Sequence, residues 1–231
     1  MSTDLTGAAA PIEHPTRESG STPPLATAAF AALGPLLMCA FLFTTPWGVS
    51  NDVPASVALI LANPTRTEVA VVLIGLAAVF GSAGSLVVTA VLRRSAPRFA
   101  GVAGALAFSG WVVAGYPGPL VAVVAAGALG LGPDQTLALV AGIDSSLPGR
   151  ILGALFVLVP AGNLLLGVAA LMASRTAAVD RYPRWAAVVL AAAMPLVLAC
   201  GMLNQQLLAA AWLVLALGYA AAGWQYRRSG S

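Results

Sequence analysis

Six apolar stretches follow one another along this chain, and they constrain its fold more than any other feature. A helix rises 1.5 Å per residue, so about 20 residues are needed to cross the roughly 30 Å hydrocarbon core of a bilayer. The predicted spans cover approximately residues 24–45, 69–92, 99–126, 151–173, 185–203 and 207–224. Only 8% of the residues are charged, whereas about 25% are charged in a soluble domain. The sequence therefore predicts an all-α, polytopic transmembrane helical bundle of six spans.

The two ends of the chain are polar. Residues 1–22 are small, polar and proline-containing without apolar periodicity, and we expect them to form a disordered cytoplasmic tail. Three acidic residues and a single Arg17 in this tail are unlike the basic start of a signal peptide, so we expect the first span to be retained. The transmembrane domain then covers residues 23–226, and residues 227–231 form a second short cytoplasmic tail.

The arginines predict the orientation of the bundle. Eight of them lie between spans two and three, between spans four and five, or after span six: Arg93, Arg94, Arg98, Arg175, Arg181, Arg184, Arg227 and Arg228. The loops on the other side contain only Arg66 and Arg150, together with Asp52, Glu68, Asp134 and Asp144. Basic loops stay in the cytoplasm, and six crossings return the chain to its starting side. We therefore predict a protein of the cell membrane with both termini in the cytoplasm.

The third stretch is longer than one straight crossing, because it remains apolar as far as Leu131. Tyr116 and Pro117 lie in its Gly-Tyr-Pro-Gly-Pro interruption at residues 115–119, where an unbroken ladder of helical hydrogen bonds cannot continue. Residues 120–131 are too few for another span. The sequence favours a single kinked crossing, with a re-entrant end as the alternative.

Asn163 is the strongest polar residue inside a predicted span, and it lies close to Pro160. A broken turn there would present backbone carbonyls and an amide to a substrate or ion, as in transporters. The alternative is a proline kink with one interhelical hydrogen bond worth about 0.6 kcal/mol. No ionisable residue lies near the centre of any predicted span, and this argues against an enzyme or a proton-coupled transporter.

Small residues spaced four apart form two candidate packing faces. Gly81 and Ser85 lie in span two, and Gly218 and Ala222 lie in span six. Such faces let helices approach closely. The sequence leaves two alternatives open, which are homo-oligomerisation and packing within one chain.

Acidic residues and cysteines lie towards the predicted outer side. Glu68 and Asp144 could bind a cation, steer a basic partner or act on a substrate at the rim, whereas the simpler interpretation is that they keep exposed loops soluble. Cys39 and Cys200 both lie at outer-leaflet depth. They are either disulfide-bonded or buried as small apolar side chains.

Two short segments resemble each other, at residues 54–62 and 133–141, and each begins with a proline. We predict two short interfacial helices there, and a duplicated two-span hairpin is one interpretation of the similarity. Residues 53–64 (VPASVALILANP), followed by a span that exits at Arg93 and Arg94, resemble small multi-pass bacterial membrane proteins of the actinobacterial type. That resemblance implies the same helical architecture, and it implies no activity and no functional residues.

These observations favour a non-enzymatic accessory, scaffold or assembly subunit of a membrane. One alternative is a small transporter or channel that acts as an oligomer. Another is a membrane-embedded enzyme that uses Glu68 or Asp144 on a lipid or isoprenoid substrate. No catalytic residue, metal ligand or cofactor is predicted. The expected partners are the lipid bilayer and a second copy or a larger membrane complex, and no nucleic acid is expected.

Overall fold

The computed structural model describes residues 24–46, 53–116, 118–175 and 182–228. These residues form ten α-helices and no strand. The helices are α1 (Pro24–Thr44), α2 (Val53–Ala62), α3 (Pro64–Leu92), α4 (Pro97–Ala114), α5 (Gly118–Ala128), α6 (Pro133–Ser145), α7 (Leu147–Leu155), α8 (Leu158–Arg175), α9 (Arg184–Gly201) and α10 (Gln205–Arg228). The predicted all-α fold is confirmed.

Six segments in these ranges are long and apolar enough to cross a membrane, as the sequence predicts. They are Leu25–Thr44, Pro64–Leu92, Pro97–Ala128, Leu147–Arg175, Arg184–Gly201 and Gln205–Tyr226. Four of the six crossings consist of one helix each. The third consists of α4 and α5, and the fourth consists of α7 and α8. The protein is therefore a multi-pass membrane protein whose surface contacts the lipid bilayer.

The third crossing continues in one direction after its break. Helix α4 ends at Ala114 and α5 begins at Gly118. Val123 and Gly127 of α5 then lie beside Pro64 and Thr67, in the first turns of α3. Because α5 runs beside the start of α3, it extends the crossing, which is the arrangement expected of a single kinked span.

The fourth crossing breaks at Phe156 and Val157, between α7 and α8. Pro160 explains this position, because it has no backbone N–H to donate to the carbonyl of Phe156 four residues earlier. The helix resumes fully once the N–H of Ala161 donates to the carbonyl of Val157, at 3.1 Å. Regular helix therefore covers Asn163, and the irregular turn precedes it.

The six crossings form a closed ring in chain order. Each packs against the next, and α10 returns to pack against both α1 and α3. We call the end of the bundle where α1 begins and α10 ends the terminal end, and the other end the far end. The short helices α2 and α6 contact each other at the far end, where α5 also packs against both. The order of span, short helix and span thus occurs twice, from α1 to α3 and from α4 to α8.

Glycines bring neighbouring crossings into backbone contact. A Cβ atom added to Gly162 would overlap the backbone of Ala107, and one added to Gly167 would lie 2.6 Å from the Cα atom of Ala191. These glycines belong to the interfaces of α8 with α4 and with α9. In a bilayer such close packing replaces the hydrophobic effect as the force that holds helices together.

Candidate functional site

A cavity of about 340 Å³ lies inside the far half of the bundle. All six crossings contribute to its wall. The lining residues are Met38, Phe41, Leu42, Ile74, Ala114, Phe156, Val159, Pro160, Met194, Val197, Leu198, Gly201, Leu208 and Trp212. None of these side chains carries a charge, a hydroxyl or a thiol. The cavity therefore suits an apolar guest, because a bound water needs two to four polar partners.

The cavity opens between two neighbouring helices. Phe156 is 50% exposed and Leu198 is 52% exposed, and Gly201 is also exposed. These three are the only exposed residues of the described lining, and they lie at the α7–α8 junction and near the end of α9. The exposed part of the lining therefore lies on the outer surface of two segments that are long and apolar enough to cross a membrane.

Close packing at one level and prolines at another explain the opening. Helices α8 and α9 touch where Gly167 meets Ala191. Pro160 lies near the middle of the fourth crossing, just after the break between α7 and α8, and Pro195 lies inside α9 one turn before the exposed Leu198. A proline removes a helical hydrogen bond and bends a helix. The two crossings are thus in backbone contact at Gly167, and each contains a proline nearer the far end.

Trp212 lies at the inner end of the cavity and packs on a second tryptophan. Trp212 lines the cavity one helical turn deeper than Leu208, and its ring centroid lies 5.5 Å from that of Trp111, with the rings tilted by 58°. Trp111 is fully buried, and a Cβ atom added to Gly81 would overlap its indole ring. The glycine on α3 therefore makes the space in which Trp111 lies.

A buried chain of hydrogen bonds lies behind the tryptophans. The indole N–H of Trp111 donates to the hydroxyl of Tyr219 at 3.2 Å, and that hydroxyl donates to Oδ1 of Asn163 at 2.7 Å. The amide of Asn163 donates in turn to the carbonyl of Val159 at 2.8 Å. All three side chains are fully buried. The chain joins α4, α10 and α8, and each bond inside hydrocarbon satisfies groups that water cannot reach.

Asn163 was singled out from the sequence, whereas its partners Tyr219 and Trp111 were not. Its side-chain oxygen and nitrogen are both occupied by protein groups. Pro160 lies one turn earlier and lines the cavity directly. A tyrosine and a tryptophan in apolar spans give a weak signal, because both occur in membrane helices and at membrane interfaces.

The other candidate of the third crossing lies apart from the cavity. Tyr116 is 42% exposed, and a Cβ atom on Gly118 would overlap its ring. Pro117 lies outside the described residues. Of this part of the chain, Ala114 reaches the cavity wall.

The two outer acids occupy separate places. Glu68 lines a smaller cavity of about 170 Å³ between α2, α3 and α5. Asp144 is exposed near the end of α6 and lines neither of these cavities. The structure therefore does not join Glu68 and Asp144 in one described site.

The two packing faces lie inside the chain. Gly81 lies against Trp111, and the fully buried Ser85 donates its hydroxyl to the carbonyl of Ser82 at 2.7 Å. Gly218 lies against Leu190 of α9, and Ala222 is fully buried. A second copy of the chain would therefore have to bind another surface.

Side chains from two other helices tie down the end of α1 beside the cavity. Gln205 donates its amide to the carbonyls of Leu42 and Thr45. Arg66 donates to the carbonyl of Phe43 at 3.4 Å. These bonds satisfy carbonyls that a helix end leaves without intrahelical donors. They hold the Leu42 side of the cavity wall in place.

Cys39 and Cys200 are both free thiols in the structure, and Cys39 is buried. No group of three or more His, Cys, Asp or Glu side chains that could hold a metal ion occurs in the described ranges. Comparison of the chain with protein-family models, with curated proteins and with solved structures finds no match. The central cavity is therefore the feature from which function must be argued.

Proposed function

We propose that this protein is a non-enzymatic membrane protein that holds the apolar chain of a membrane lipid in its central cavity. The observation that carries the proposal is a cavity lined by side chains without charge, hydroxyl or thiol, formed by all six crossings, whose exposed lining lies on the outer surface of the fourth and fifth crossings. A molecule that enters between Phe156 and Leu198 comes from the surrounding hydrocarbon. The nearest such molecules are the acyl or isoprenoid chains of lipids.

The size of the cavity suits one chain. An apolar cavity of about 150 Å³ accommodates benzene, so about 340 Å³ accommodates on the order of a dozen carbon atoms by proportion. Met38 and Met194 lie in the wall, and flexible thioether side chains adapt to guests of varied shape. The protein would therefore accept chains of more than one kind.

Binding without reaction is favoured by the chemistry of the wall. Its described side chains include no carboxylate, hydroxyl or thiol that would act on a bound chain. Glu68 and Asp144, on which an enzyme at the rim would depend, lie outside this wall. A binding role also agrees with an accessory, scaffold or assembly subunit, because such proteins act by holding partners.

Fluorescence quenching by brominated lipids tests this proposal. Trp47, Trp185 and Trp224 are replaced by phenylalanine, so that emission comes from Trp111 and Trp212 alone. We expect lipids with bromine near the chain end to quench this emission in vesicles, since a bound chain contacts Trp212. Unbrominated lipids of the same composition provide the baseline.

Two variants in α9 provide a matched comparison. Val197→Phe places a ring at the cavity wall, whereas Val188→Phe places the same ring at a position that is 57% exposed and outside the cavity. We expect quenching to fall in the first variant and to persist in the second. Unquenched emission in the protein with both valines intact would refute chain binding.

We also propose that the protein lies in the cell membrane of a bacterium with both termini in the cytoplasm. The described arginines support this orientation, because the terminal end carries Arg93, Arg94, Arg98, Arg175 and Arg184, whereas the far end carries Arg66 and Arg150. Positive charge near membrane spans favours the cytoplasmic side. A reporter that fluoresces only in the cytoplasm, fused to either terminus, should be bright. A dark, fully expressed fusion at either terminus would contradict the orientation.

The oligomeric state and larger complexes belong to the same proposal. We propose that the protein acts as a subunit, either of a homo-oligomer or of a larger membrane complex. Its partners would contact surfaces other than the Gly81 and Gly218 faces. Affinity purification in mild detergent tests this. A protein that always leaves the membrane as a single copy without companions would contradict it.

A further inference from the structure

We infer that Trp212 determines how deeply a lipid chain enters the central cavity, and so acts as its specificity-determining residue for chain length. This inference rests on the proposed function of the cavity. Trp212 is 6% exposed and lies at the deepest position that α10 contributes to the wall. A chain that enters between α8 and α9 from the side therefore ends its path against this indole.

Trp111 holds the ring of Trp212 in position. This ring packs on Trp111 with centroids 5.5 Å apart. Trp111 in turn cannot retreat, because the backbone of Gly81 lies against its ring and its N–H is bonded to Tyr219 at 3.2 Å. Aromatic pairs at such distances attract each other beyond their simple burial. The ring of Trp212 at the inner end of the cavity is thus held in place by its packing on Trp111.

The described residues of α10 beyond Trp212 lie outside the cavity. Leu215 and Ala216 follow Trp212 along α10, both are buried, and neither lines the cavity. Removing the indole would therefore lengthen the path of a chain only as far as Trp111. An indole is larger than benzene, which fills a cavity of about 150 Å³, so the gain corresponds to about six carbon atoms.

The wall can be tested by asking whether a chain reaches Trp111. Two variants are made in the protein that lacks the other three tryptophans, so that Trp111 is the only tryptophan left. Trp212→Phe keeps an aromatic ring at the inner end of the cavity, and Trp212→Ala removes it. Both are placed in vesicles of phosphatidylcholine brominated at the chain terminus. We expect a greater loss of Trp111 emission in Trp212→Ala than in Trp212→Phe. Trp212→Leu is prepared as well, because it removes the ring but leaves a smaller apolar side chain at this position.

The outcomes separate this inference from the proposed function. If the protein with both Trp111 and Trp212 is not quenched, chain binding itself is refuted. If it is quenched but Trp111 is quenched to the same extent in the Phe and Ala variants, Trp212 is not the barrier, and the inference is overturned. If Trp111 is quenched in neither, the chain does not advance when the ring is removed, which also overturns it. Should Trp212→Ala fail to fold, as judged by its elution in mild detergent, the comparison of Trp212→Leu with Trp212→Phe decides in the same way.

Discussion

Replacing Gly110 by alanine should force α4 away from α8. The added Cβ atom would lie 2.6 Å from the backbone nitrogen of Val159 and 2.7 Å from the carbonyl oxygen of Leu158. Ordinary van der Waals contact begins at 3.4 Å, so the first of these distances is 0.8 Å too short. Both neighbours are backbone atoms, which cannot rotate away as a side chain can. The strain must therefore be relieved by moving one helix relative to the other.

The expected loss of stability can be compared with the effect of the same substitution at another glycine of α4. Overpacking a close-packed interior costs about 1–3 kcal/mol. Gly101 also lies in α4, but a Cβ atom added there meets nothing within 4 Å. Gly101→Ala should be neutral, or stabilising by up to about 1 kcal/mol through helix propensity. The unfolding free energies of the two alanine variants should therefore differ by about 1–4 kcal/mol, with Gly110→Ala the less stable.

Titration with a denaturing detergent measures this difference. The protein is held in a mild detergent, and sodium dodecyl sulfate is added while tryptophan emission is followed, because Trp111 lies one position from Gly110 and is fully buried. Gly110→Ala should unfold at a lower mole fraction of the denaturing detergent, and Gly101→Ala should not. Equal midpoints for the two variants would refute the close contact between α4 and α8.

Three further predictions concern the polar groups and the thiols. Tyr219→Phe should lower the unfolding free energy by about 1–3 kcal/mol in the same titration, because it leaves the buried oxygen of Asn163 without its donor; an unchanged midpoint would contradict the bond. Alkylation of the denatured, unreduced protein should label Cys39 and Cys200 completely, since both thiols are free, and mass spectrometry would reveal a disulfide as two unlabelled cysteines. Burial raises the pKa of Tyr182 above its usual value of 10.0, so the folded state keeps a proton that the unfolded state releases. Stability should therefore fall as the pH rises above about 10, and Tyr182→Phe should fall less steeply, whereas parallel curves would contradict the shift.

The architecture was predictable because each crossing is specified locally. Apolar length alone identifies the six spans, and the Pro-Gly-Pro run at residues 117–119 identifies the break between α4 and α5 in the third. Pro160 predicts an irregularity in the fourth, but the geometry of hydrogen bonds puts it at Phe156 and Val157, one turn before the proline. The start of α3 at Pro64, earlier than the predicted span at residue 69, follows from the preference of proline for a first helical turn.

The candidate site was not predictable in the same way. Asn163 is recognisable in the sequence because it is a polar residue among apolar neighbours. The sequence does not tell which helix supplies its hydrogen-bond partner. Tyr219 is 56 residues further along the chain, and only the closed ring of helices brings it within 2.7 Å. The cavity is still less visible, because its lining consists of ordinary apolar residues from every crossing. A void arises from the angles between helices, and these angles depend on many contacts at once.

The cost of an empty cavity connects the fold with the proposed function. Cavities left by large-to-small substitutions in protein cores cost about 24 cal/mol per Å³. For the cavity of about 340 Å³ this scaling gives an upper value of roughly 8 kcal/mol, since the cavity is partly open to its surroundings. Net stabilities of proteins are only about 5–15 kcal/mol, so a permanently empty space would consume much of the stability of the bundle. Under the proposed function, a lipid chain that enters between α8 and α9 would restore the contacts that an empty cavity lacks. On the same proposal, the occupant of the cavity would contribute to the stability of the far half, whereas the glycine contacts and the Trp111–Tyr219–Asn163 bonds join neighbouring crossings through protein groups alone.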